Sequence, residues 1–380
     1  MIAGRLRNSM LPISARATPR PRVTGENRVL VLQPDHLGDI LLSEPAIRLL
    51  RRAIPDSELI AVVGPWSAEI TRMSWPVDRV IEVEFPGFTR ASAEPNRIGP
   101  YSYLFESADR LSRERADDAI VLRDDAWWTA WLARASVGRE VVASGDHRVR
   151  PFVTIAAQAP ASPHRTVIAR SIVDAYLARI GLDFDVGVWD VSPKLMPDAF
   201  ASELLEILPT LIELDQRDPY IVLHPGSGAE VKTWPADRWR AVIRELQDVR
   251  FVLTGSDSER ALCAEIAENQ PNANSIAGLT PLPVLAGILR DATLAVGTDN
   301  GPMHLAAAAG APTVRLFGPS DPARYGPWPG AADQRVISAG WSCPRCGDLS
   351  PSRSPGCGCM LAITIEMVVD SIRSALNGGA

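Results

Sequence analysis

The chain of 380 residues is longer than one hydrophobic core usually supports, so its length predicts two domains. Its hydrophobic content of 46% is typical of a globular protein, and its net charge of −6 argues against a basic surface that recruits nucleic acid. No apolar run is long enough to predict a membrane span. Segment 1–27 is rich in arginine and proline and lacks the apolar core of a secretory signal, so it is predicted to be a disordered basic tail.

Short apolar segments alternate with helical patterns along the first half, which predicts parallel βαβ units. The strands are expected near 29–33, 59–63, 80–84, 119–122 and 139–143. A polar loop is expected over 86–100, followed later by a helix over 166–180 with Gly181 as its C-cap. The aperiodic stretch 183–198 is predicted to cross between domains.

The second half repeats the alternation. Its strands are expected in YIVLHPG, RFVLTG, TLAVG and APTVRLFG, and its helices in ADRWRAVIRELQ, SERALCAEIAEN and GPMHLAAAAG. The predicted fold is therefore α/β, with domains over 28–185 and 186–380 and with the last helix able to pack back on the first domain. Clefts between two such domains are favoured ligand sites.

The stretch PDHLGD at 34–39 places polar side chains at the carboxyl end of the first strand, where ligands bind in open α/β sheets. Gly38 allows a sharp turn, which predicts Asp39 at the N-cap of the next helix. A carboxylate at this place is also suited to general-base chemistry. The local sequence leaves both roles of Asp39 open.

HPGSGAEVKTWP at 224–235 predicts a strand that leads into a loop with exposed backbone N–H groups around Ser227. Lys232 is able to reach an anion held there, although a solvated loop lysine is the alternative. The loop lacks the third glycine of a dinucleotide fingerprint, and no P-loop is present, which weakens dehydrogenase and NTPase interpretations.

Two later turns predict further polar groups at the same sheet edge. In VLTGSDSERALCAEIA at 252–267, Asp257 or Ser258 is predicted to cap the helix, and Glu259 binds ribose hydroxyls or complements the helix dipole. In TDNGPMH at 298–304, the helix start predicts an anion site suited to diphosphate. Its polar residues are Asp299, Asn300, Gly301 and His304. The alternatives are an N-cap role for Asp299 or Asn300 and a core role for His304.

Four of the five cysteines lie within 17 residues near the C-terminus. They are Cys343, Cys346, Cys357 and Cys359. Reduced thiols of a cytoplasmic protein are favoured over a zinc site, because the C-x-C half is an uncommon zinc spacing. The DFD at 183–185 falls in the predicted crossing, so no metal is assigned to the site.

Taken together, these segments resemble glycosyltransferase family 9, which includes the ADP-heptose:LPS heptosyltransferases. The matching letters are LGD at 37–39, HPGS at 224–227, KTWP at 232–235, TG and ERA within 254–261, and DNGPMHLAAA at 299–308. The resemblance covers about 28–375 in order and spacing. Asn300 stands where many members have threonine, and His36 where many have a small residue.

The resemblance implies a GT-B fold, in which two Rossmann-like domains face each other across a cleft. It implies inverting, metal-independent transfer of a sugar, with heptose as one candidate, from a nucleotide-diphospho-sugar to a glycan or lipid-linked glycan, without a cofactor. Asp39 then falls on the general base, Lys232 on the diphosphate-binding lysine and Glu259 on the ribose-binding glutamate. The full donor set is Ser227, Lys232, Glu259, Asp299, Asn300, Gly301 and His304.

Other functions remain open from the sequence. A nucleotide-sugar epimerase of the same fold needs no acceptor, and a non-catalytic nucleotide-sugar-binding protein transfers nothing. The expected location is cytoplasmic, with peripheral association at the inner face of the cytoplasmic membrane as an option. No nucleic-acid partner is expected from the charge.

Overall fold

A computed structural model describes residues 16, 18, 20–85, 99–182, 190–199, 219–328, 331, 333–340 and 358–377. The chain divides into two compact units, Met1–Asp190 and Val191–Ala380. The predicted boundary between 185 and 186 lies outside the described residues, as does most of the predicted crossing. The predicted loop over 86–100 also lies outside them as far as residue 98.

The first unit contains a six-stranded parallel sheet in the order β3-β2-β1-β4-β5-β6. Its strands are β1 Arg28–Gln33, β2 Glu58–Val63, β3 Arg79–Glu82, β4 Asp118–Val121, β5 Glu140–Ser144 and β6 Ile155–Ala157. In register, Val31 of β1 lies opposite Ala61 of β2 and Ile120 of β4. The direction of strand order reverses between β1 and β4, which is the topological switch point where such sheets bind ligands.

In the described part of this unit, the sheet is accompanied by the helices α1 Leu37–Ala53, α2 Pro65–Ser74, α3 Gly99–Ser112, α4 Trp127–Ser136 and α5 Arg165–Arg179. The five predicted strands are confirmed, while β6 was not predicted because only three residues form it. The C-cap of α5 is Ile180 rather than the predicted Gly181, which follows at the next position with a φ of +78°.

The segment before β1 differs in part from the predicted disordered tail. The backbone N–H groups of Thr24 and Gly25 donate to Asp117 Oδ1 at 2.8 and 3.1 Å. These residues are ordered because a carboxylate of the first unit accepts both of their N–H groups.

The second unit repeats the same topology, with the sheet order β12-β11-β10-β7-β8-β9. Its strands are β7 Ile221–His224, β8 Phe251–Leu253, β9 Ala273–Ser275, β10 Leu294–Thr298, β11 Thr313–Phe317 and β12 Gln334–Ser338. All the pairs are parallel, and the order reverses between β7 and β10. The predicted α/β class with two doubly wound sheets is confirmed.

Among its described residues, the second unit has the helices α6 Ala236–Glu245, α7 Arg260–Ala267, α8 Leu282–Asp291, α9 Gly301–Ala308, α10 Pro322–Tyr325, α11 Gly358–Leu361 and α12 Ile365–Asn377. The core of this unit includes Trp234 and Trp239, whose rings meet edge to face. Val368 and Ile372 of α12 belong to the same core, and Trp234 Nε1 donates to the Ile363 carbonyl at 3.1 Å. The last helix therefore packs within the second unit.

In the part of the chain that is described, none of the helices combines the length and the apolar character needed to cross a bilayer.

Candidate active site

The stretch PDHLGD joins β1 to α1 at the carboxyl edge of the first sheet. Helix α1 begins at Leu37, and His36 occupies the N-cap position in an extended conformation. Asp39 lies in the first turn of the helix, so its predicted N-cap position is wrong. The physical reason is that the chain turns at His36, and Gly38 is already helical. A carboxylate in a first turn is still stabilised by the helix dipole.

Asp35 is buried beside this turn, with 2% of its surface exposed. Its Oδ1 accepts a 2.6 Å hydrogen bond from Nη1 of Arg123, which follows β4 across the switch point. Burial and the nearby charge of Asp39 raise the pKa of Asp35 to about 6, and Arg123 and Arg165 oppose that rise. The Asp35 carboxyl is therefore a titratable neighbour of Asp39.

The backbone of Asp35 is also held in place. Its carbonyl oxygen accepts hydrogen bonds from Ser67 Oγ at 2.6 Å and from Trp66 Nε1 at 3.0 Å. The Trp66 ring lies 5.7 Å from the imidazole of His36, centre to centre. Helix α2 thus fixes the segment that carries Asp35 and His36.

Asp39 has an arginine neighbour of its own. Arg165, the first residue of α5, places Nε 3.7 Å from Asp39 Oδ1 and Nη1 2.9 Å from Asp124 Oδ1. The Arg165 side chain is 4% exposed, whereas that of Asp39 remains 23% exposed. Asp39 therefore combines access to solvent with a fixed cationic neighbour, which suits a carboxylate that takes a proton from a bound hydroxyl.

Sequence reasoning missed both arginines. Arg123 carries a usable signal, because it directly follows a predicted strand and therefore lies at the carboxyl edge. Arg165 carries none, because it opens a helix that is far from β1 in the sequence. Asp35 was not assigned a role because the family motif has no counterpart for it, yet it lies within the same cluster.

In the second unit, loops after β7 and β10 meet at the switch point. Asn300 is the N-cap of α9, and its Oδ1 accepts from the Met303 N–H at 3.0 Å. Its Nδ2 donates to the Gly226 carbonyl at 2.7 Å, and Thr298 Oγ1 donates to the same oxygen at 2.9 Å. Asn300 thereby ties the loop of Gly226 to the start of the helix, which a threonine is too short to do in the same way.

Lys232 ends a short 3₁₀ turn and points back to the same place. Its Nζ lies 2.7 Å from Asp299 Oδ2 and 3.2 Å from the Asp299 carbonyl oxygen. The side chains are 17% and 5% exposed, respectively, so Lys232 is not a solvated loop lysine. Although burial raises it, the pKa of Asp299 is held well below its usual range by Lys232 and by His304.

His304 lies behind this pair. Its Nε2 is 3.7 Å from Asp299 Oδ1, and its Nδ1 is 3.4 Å from Nη1 of Arg315. Burial, helped by the charge of Arg315, lowers the pKa of His304 to about 4, against the influence of Asp299. His304 is therefore neutral at physiological pH.

Glu259 belongs to a capping box at the turn after β8. Its Oε2 accepts from the backbone N–H and the Oγ of Ser256, each at 2.7 Å, so the predicted caps at Asp257 and Ser258 are wrong. The turn starts one residue earlier than the sequence indicated. A Cβ at Gly226 would lie 1.7 Å from Glu259 Oε1, so this carboxylate directly contacts the glycine loop.

Ser227 and Gly301 complete the predicted donor set. Ser227 follows Gly226, and its Oγ accepts from the Ala229 N–H at 3.4 Å. Gly301 is the first residue of α9. Because Pro302 has no N–H and Asn300 accepts that of Met303, the Gly301 N–H is the first-turn donor left for an anion. All seven predicted donor residues therefore follow β7, β8 or β10 at one edge of one sheet.

The cysteine cluster is described only at Cys359, which is buried in α11. Cys343, Cys346 and Cys357 lie outside the described residues.

The chemistry of the two edges differs. The first edge offers an accessible carboxylate beside two arginines, which suits removal of a proton from a hydroxyl group. The second edge offers a lysine, a helix N-terminus and a carboxylate against a glycine loop, which suits a nucleoside diphosphate.

The sequence profile of glycosyltransferase family 9 (heptosyltransferase) matches residues 105–348. Lipopolysaccharide heptosyltransferase 1 of Pseudomonas aeruginosa is 27% identical over 305 residues, which cover 78% of this chain and 79% of that protein.

Solved structures are similar as well. The glycosyl transferase family 9 structure from Veillonella parvula is 22% identical with a TM-score of 0.74, covering 94% of this chain and 100% of that one. The ADP-heptose LPS heptosyltransferase II of E. coli is 20% identical with a TM-score of 0.70, covering 93% of this chain and 99% of that one. At these identities the structures establish the fold.

Proposed function

This chain belongs to glycosyltransferase family 9, and we propose that it transfers a heptose-type sugar from a nucleotide-diphospho-sugar to a glycan acceptor with inversion. It is a glycosyltransferase by family. Because the family profile describes heptosyltransferases, and the relative from Pseudomonas aeruginosa carries the same name, the epimerase and the non-catalytic binder are not favoured.

The observation that carries the proposal is the Lys232–Asp299 pair at the N-terminus of α9. Its 2.7 Å contact keeps one ammonium group beside a helix start and a glycine loop. A departing nucleoside diphosphate gains negative charge on its terminal phosphate, and these groups stabilise that charge. The nucleotide's ribose hydroxyls are assigned to Glu259, which contacts the same glycine loop.

Asp39 is assigned as the general base. The acceptor hydroxyl attacks the anomeric carbon as its proton passes to the Asp39 carboxylate. The bond from that carbon to the phosphate oxygen breaks, and the electron pair leaves on the nucleoside diphosphate. A single displacement of this kind inverts the anomeric configuration. Arg165 holds the carboxylate from the buried side, so its position is fixed before substrate arrives.

Names of relatives support a more specific substrate pair. One similar structure is an ADP-heptose LPS heptosyltransferase, and a curated relative is a lipopolysaccharide heptosyltransferase. An ADP-heptose-like donor and a lipopolysaccharide core acceptor are therefore proposed. An acceptor that carries lipid would bring the enzyme to the cytoplasmic face of the inner membrane, where donor sugars are available.

The test measures nucleoside diphosphate released from a panel of ADP-, UDP- and GDP-linked sugars, with and without a heptose-deficient lipopolysaccharide acceptor. Release that requires both the acceptor and ADP-heptose supports the proposal. Isomerised sugar that remains attached to the nucleotide would indicate an epimerase, and tight binding with no product from any pair would indicate a binding protein.

A further inference from the structure

Arg315 is a fully buried charge behind the proposed donor site. It occupies the middle of β11 with 0% of its surface exposed. Burial lowers its pKa to about 10, while the charge of Asp299 opposes that change. The guanidinium therefore stays protonated at neutral pH, and a buried charge of this kind needs a set of fixed partners.

Two of those partners hold the guanidinium in place. Its Nε donates to Thr313 Oγ1 at 3.1 Å, and its Nη2 donates to Gln334 Oε1 at 2.6 Å. Gln334 is itself oriented, because its Nε2 donates to the Ala311 carbonyl at 3.0 Å. The position of the remaining arm, Nη1, is thus fixed, and that arm faces Nδ1 of His304 at 3.4 Å.

A guanidinium has only donors. Nδ1 of His304 must therefore act as the acceptor, which places the proton of the neutral imidazole on Nε2. That nitrogen faces Asp299 Oδ1 at 3.7 Å. With the opposite tautomer, a lone pair would face the carboxylate, and an N–H would face the guanidinium.

We propose that Arg315 is a positioning residue of the donor site, which fixes His304 with its proton on Nε2 and so directs a donor toward Asp299. Asp299 then keeps its carboxylate turned between His304 and Lys232, and Lys232 stays at the mouth of the site. The proposal rests on the proposed function, because that function assigns Asp299 and Lys232 to the diphosphate.

The charged groups that act on His304 are Asp299, Lys232 and Arg315. Removal of the Arg315 charge takes away one influence that lowers the pKa of His304, while burial and Lys232 still lower it and Asp299 still raises it. The pKa of His304 should then rise above about 4 and stay below its ordinary value, because the imidazole remains buried. Protonation of His304 at mildly acidic pH would add a charge to the site and draw Asp299 away from Lys232.

The experiment uses full-length protein labelled with ¹⁵N-histidine and long-range ¹H–¹⁵N spectra, which distinguish the two tautomers and the imidazolium. A His304→Asn variant assigns the His304 signals. In the parent, His304 should show its proton on Nε2 from about pH 5.5 to about pH 8. Arg315→Met should give mixed tautomers or imidazolium at the acidic end, whereas Arg315→Lys, which retains a donor, should preserve the parent pattern.

His224 is the internal control, because it is buried in the same unit and pairs with Thr254 rather than with Arg315. Its signals should be unchanged in both variants, which shows that the unit is folded. A proton on Nδ1 of His304 in the parent overturns the proposal without any variant. An unchanged tautomer and titration in Arg315→Met would overturn it as well.

Binding of ADP-glucose provides a second measurement, because its diphosphate diester does not titrate in this range. The parent affinity should be nearly constant with pH, while that of Arg315→Met should vary by up to about tenfold. The spectra could agree with the proposal while neither protein binds ADP-glucose or any other nucleotide sugar. In that case Arg315 still positions His304, but the assignment of these residues to a donor site is wrong.

Discussion

Asp35 and Asp299 are buried carboxylates that follow central strands, one at each switch point. Each is paired with a cation, at 2.6 Å from Arg123 and at 2.7 Å from Lys232, respectively. Their pKa values nevertheless move in opposite directions, since that of Asp35 is raised to about 6 and that of Asp299 is held well below its usual range.

The neighbours explain this difference. Burial raises both pKa values, but Asp35 also experiences the negative charge of Asp39. Asp299 has Lys232 on one oxygen and His304 on the other, and both favour its ionised form. A single ion pair is thus not enough to set the pKa of a buried carboxyl group, because a negative charge nearby shifts that pKa in the opposite direction with comparable strength. The first switch point is suited to moving protons, and the second to holding charge.

The largest expected effect tests the proton-transfer role of the first switch point. Asp39→Asn should lower turnover by about 10²–10⁴-fold, because the amide cannot accept the acceptor's proton. Donor affinity and melting temperature should remain nearly unchanged, since Asp39 does not cap its helix and the donor residues are in the second unit. Steady-state kinetics and thermal denaturation measure both.

Asp237→Asn is the matched control, because Asp237 is an exposed acid in the first turn of α6. It should behave like the parent. Turnover of Asp39→Asn within a few-fold of the parent would mean that the base lies elsewhere.

The next effect tests the charge-holding role of the second switch point. Lys232→Met should weaken nucleoside diphosphate binding by about 1.5–3 kcal/mol, the range of a charged hydrogen bond. It should also lower stability, because Asp299 loses the cation that keeps it ionised while buried. Calorimetry and urea denaturation measure the two effects.

The chain has two lysines, so Lys194→Met, at an exposed position, is the natural control and should change neither quantity. Lys232→Met combined with Asp299→Asn should recover stability without recovering affinity. Unchanged nucleotide affinity in Lys232→Met would remove the lysine from the donor site.

A smaller effect tests the opposite pKa shifts of the Asp35 and Asp299 carboxyl groups. Because the folded pKa of Asp35, about 6, lies above its usual 3.8, the folded state binds this proton more tightly than the unfolded state. The contribution of Asp35 to the free energy of unfolding is therefore lost as the pH rises from 3.8 through about 6. Asp299, with a depressed pKa, contributes stability above 3.8 that is lost as the pH falls below that value.

Asp35→Asn should remove the Asp35 contribution, so its stability should fall less than that of the parent between about pH 4 and about pH 6.5. Asp56→Asn, at an exposed position of the first unit, should keep the parent slope. Identical slopes in the parent and in Asp35→Asn, measured by urea denaturation, would show that the pKa of Asp35 is not raised in the folded protein.

The smallest expected effect concerns metal ions. Turnover should survive EDTA, because Lys232 and the start of α9 supply the positive potential at the leaving diphosphate. Activity that disappears on chelation and returns with Mg²⁺ or Mn²⁺ would contradict this mechanism. Unfolding on chelation without rescue by Mg²⁺ would instead support zinc at the four C-terminal cysteines.

The sequence by itself determined the two parallel sheets and the loops that carry polar residues. Apolar runs alternate with helical patterns at the right lengths, and the carboxyl ends of parallel strands share an edge. That rule is sufficient to bring Gly226, Glu259 and Asn300 together, since each follows a predicted strand. Such features depend on neighbours in the chain, which a sequence displays directly.

Tertiary structure decided the electrostatics of both edges. Arg165 reaches Asp39 from a helix more than a hundred residues later, and Arg315 reaches His304 from inside a strand. Even the cap of α1 depended on where the chain turned, which placed His36 rather than Asp39 at the helix start. Charge interactions act through space and depend on burial, so the partners of a carboxylate are set by packing between distant segments rather than by the local sequence.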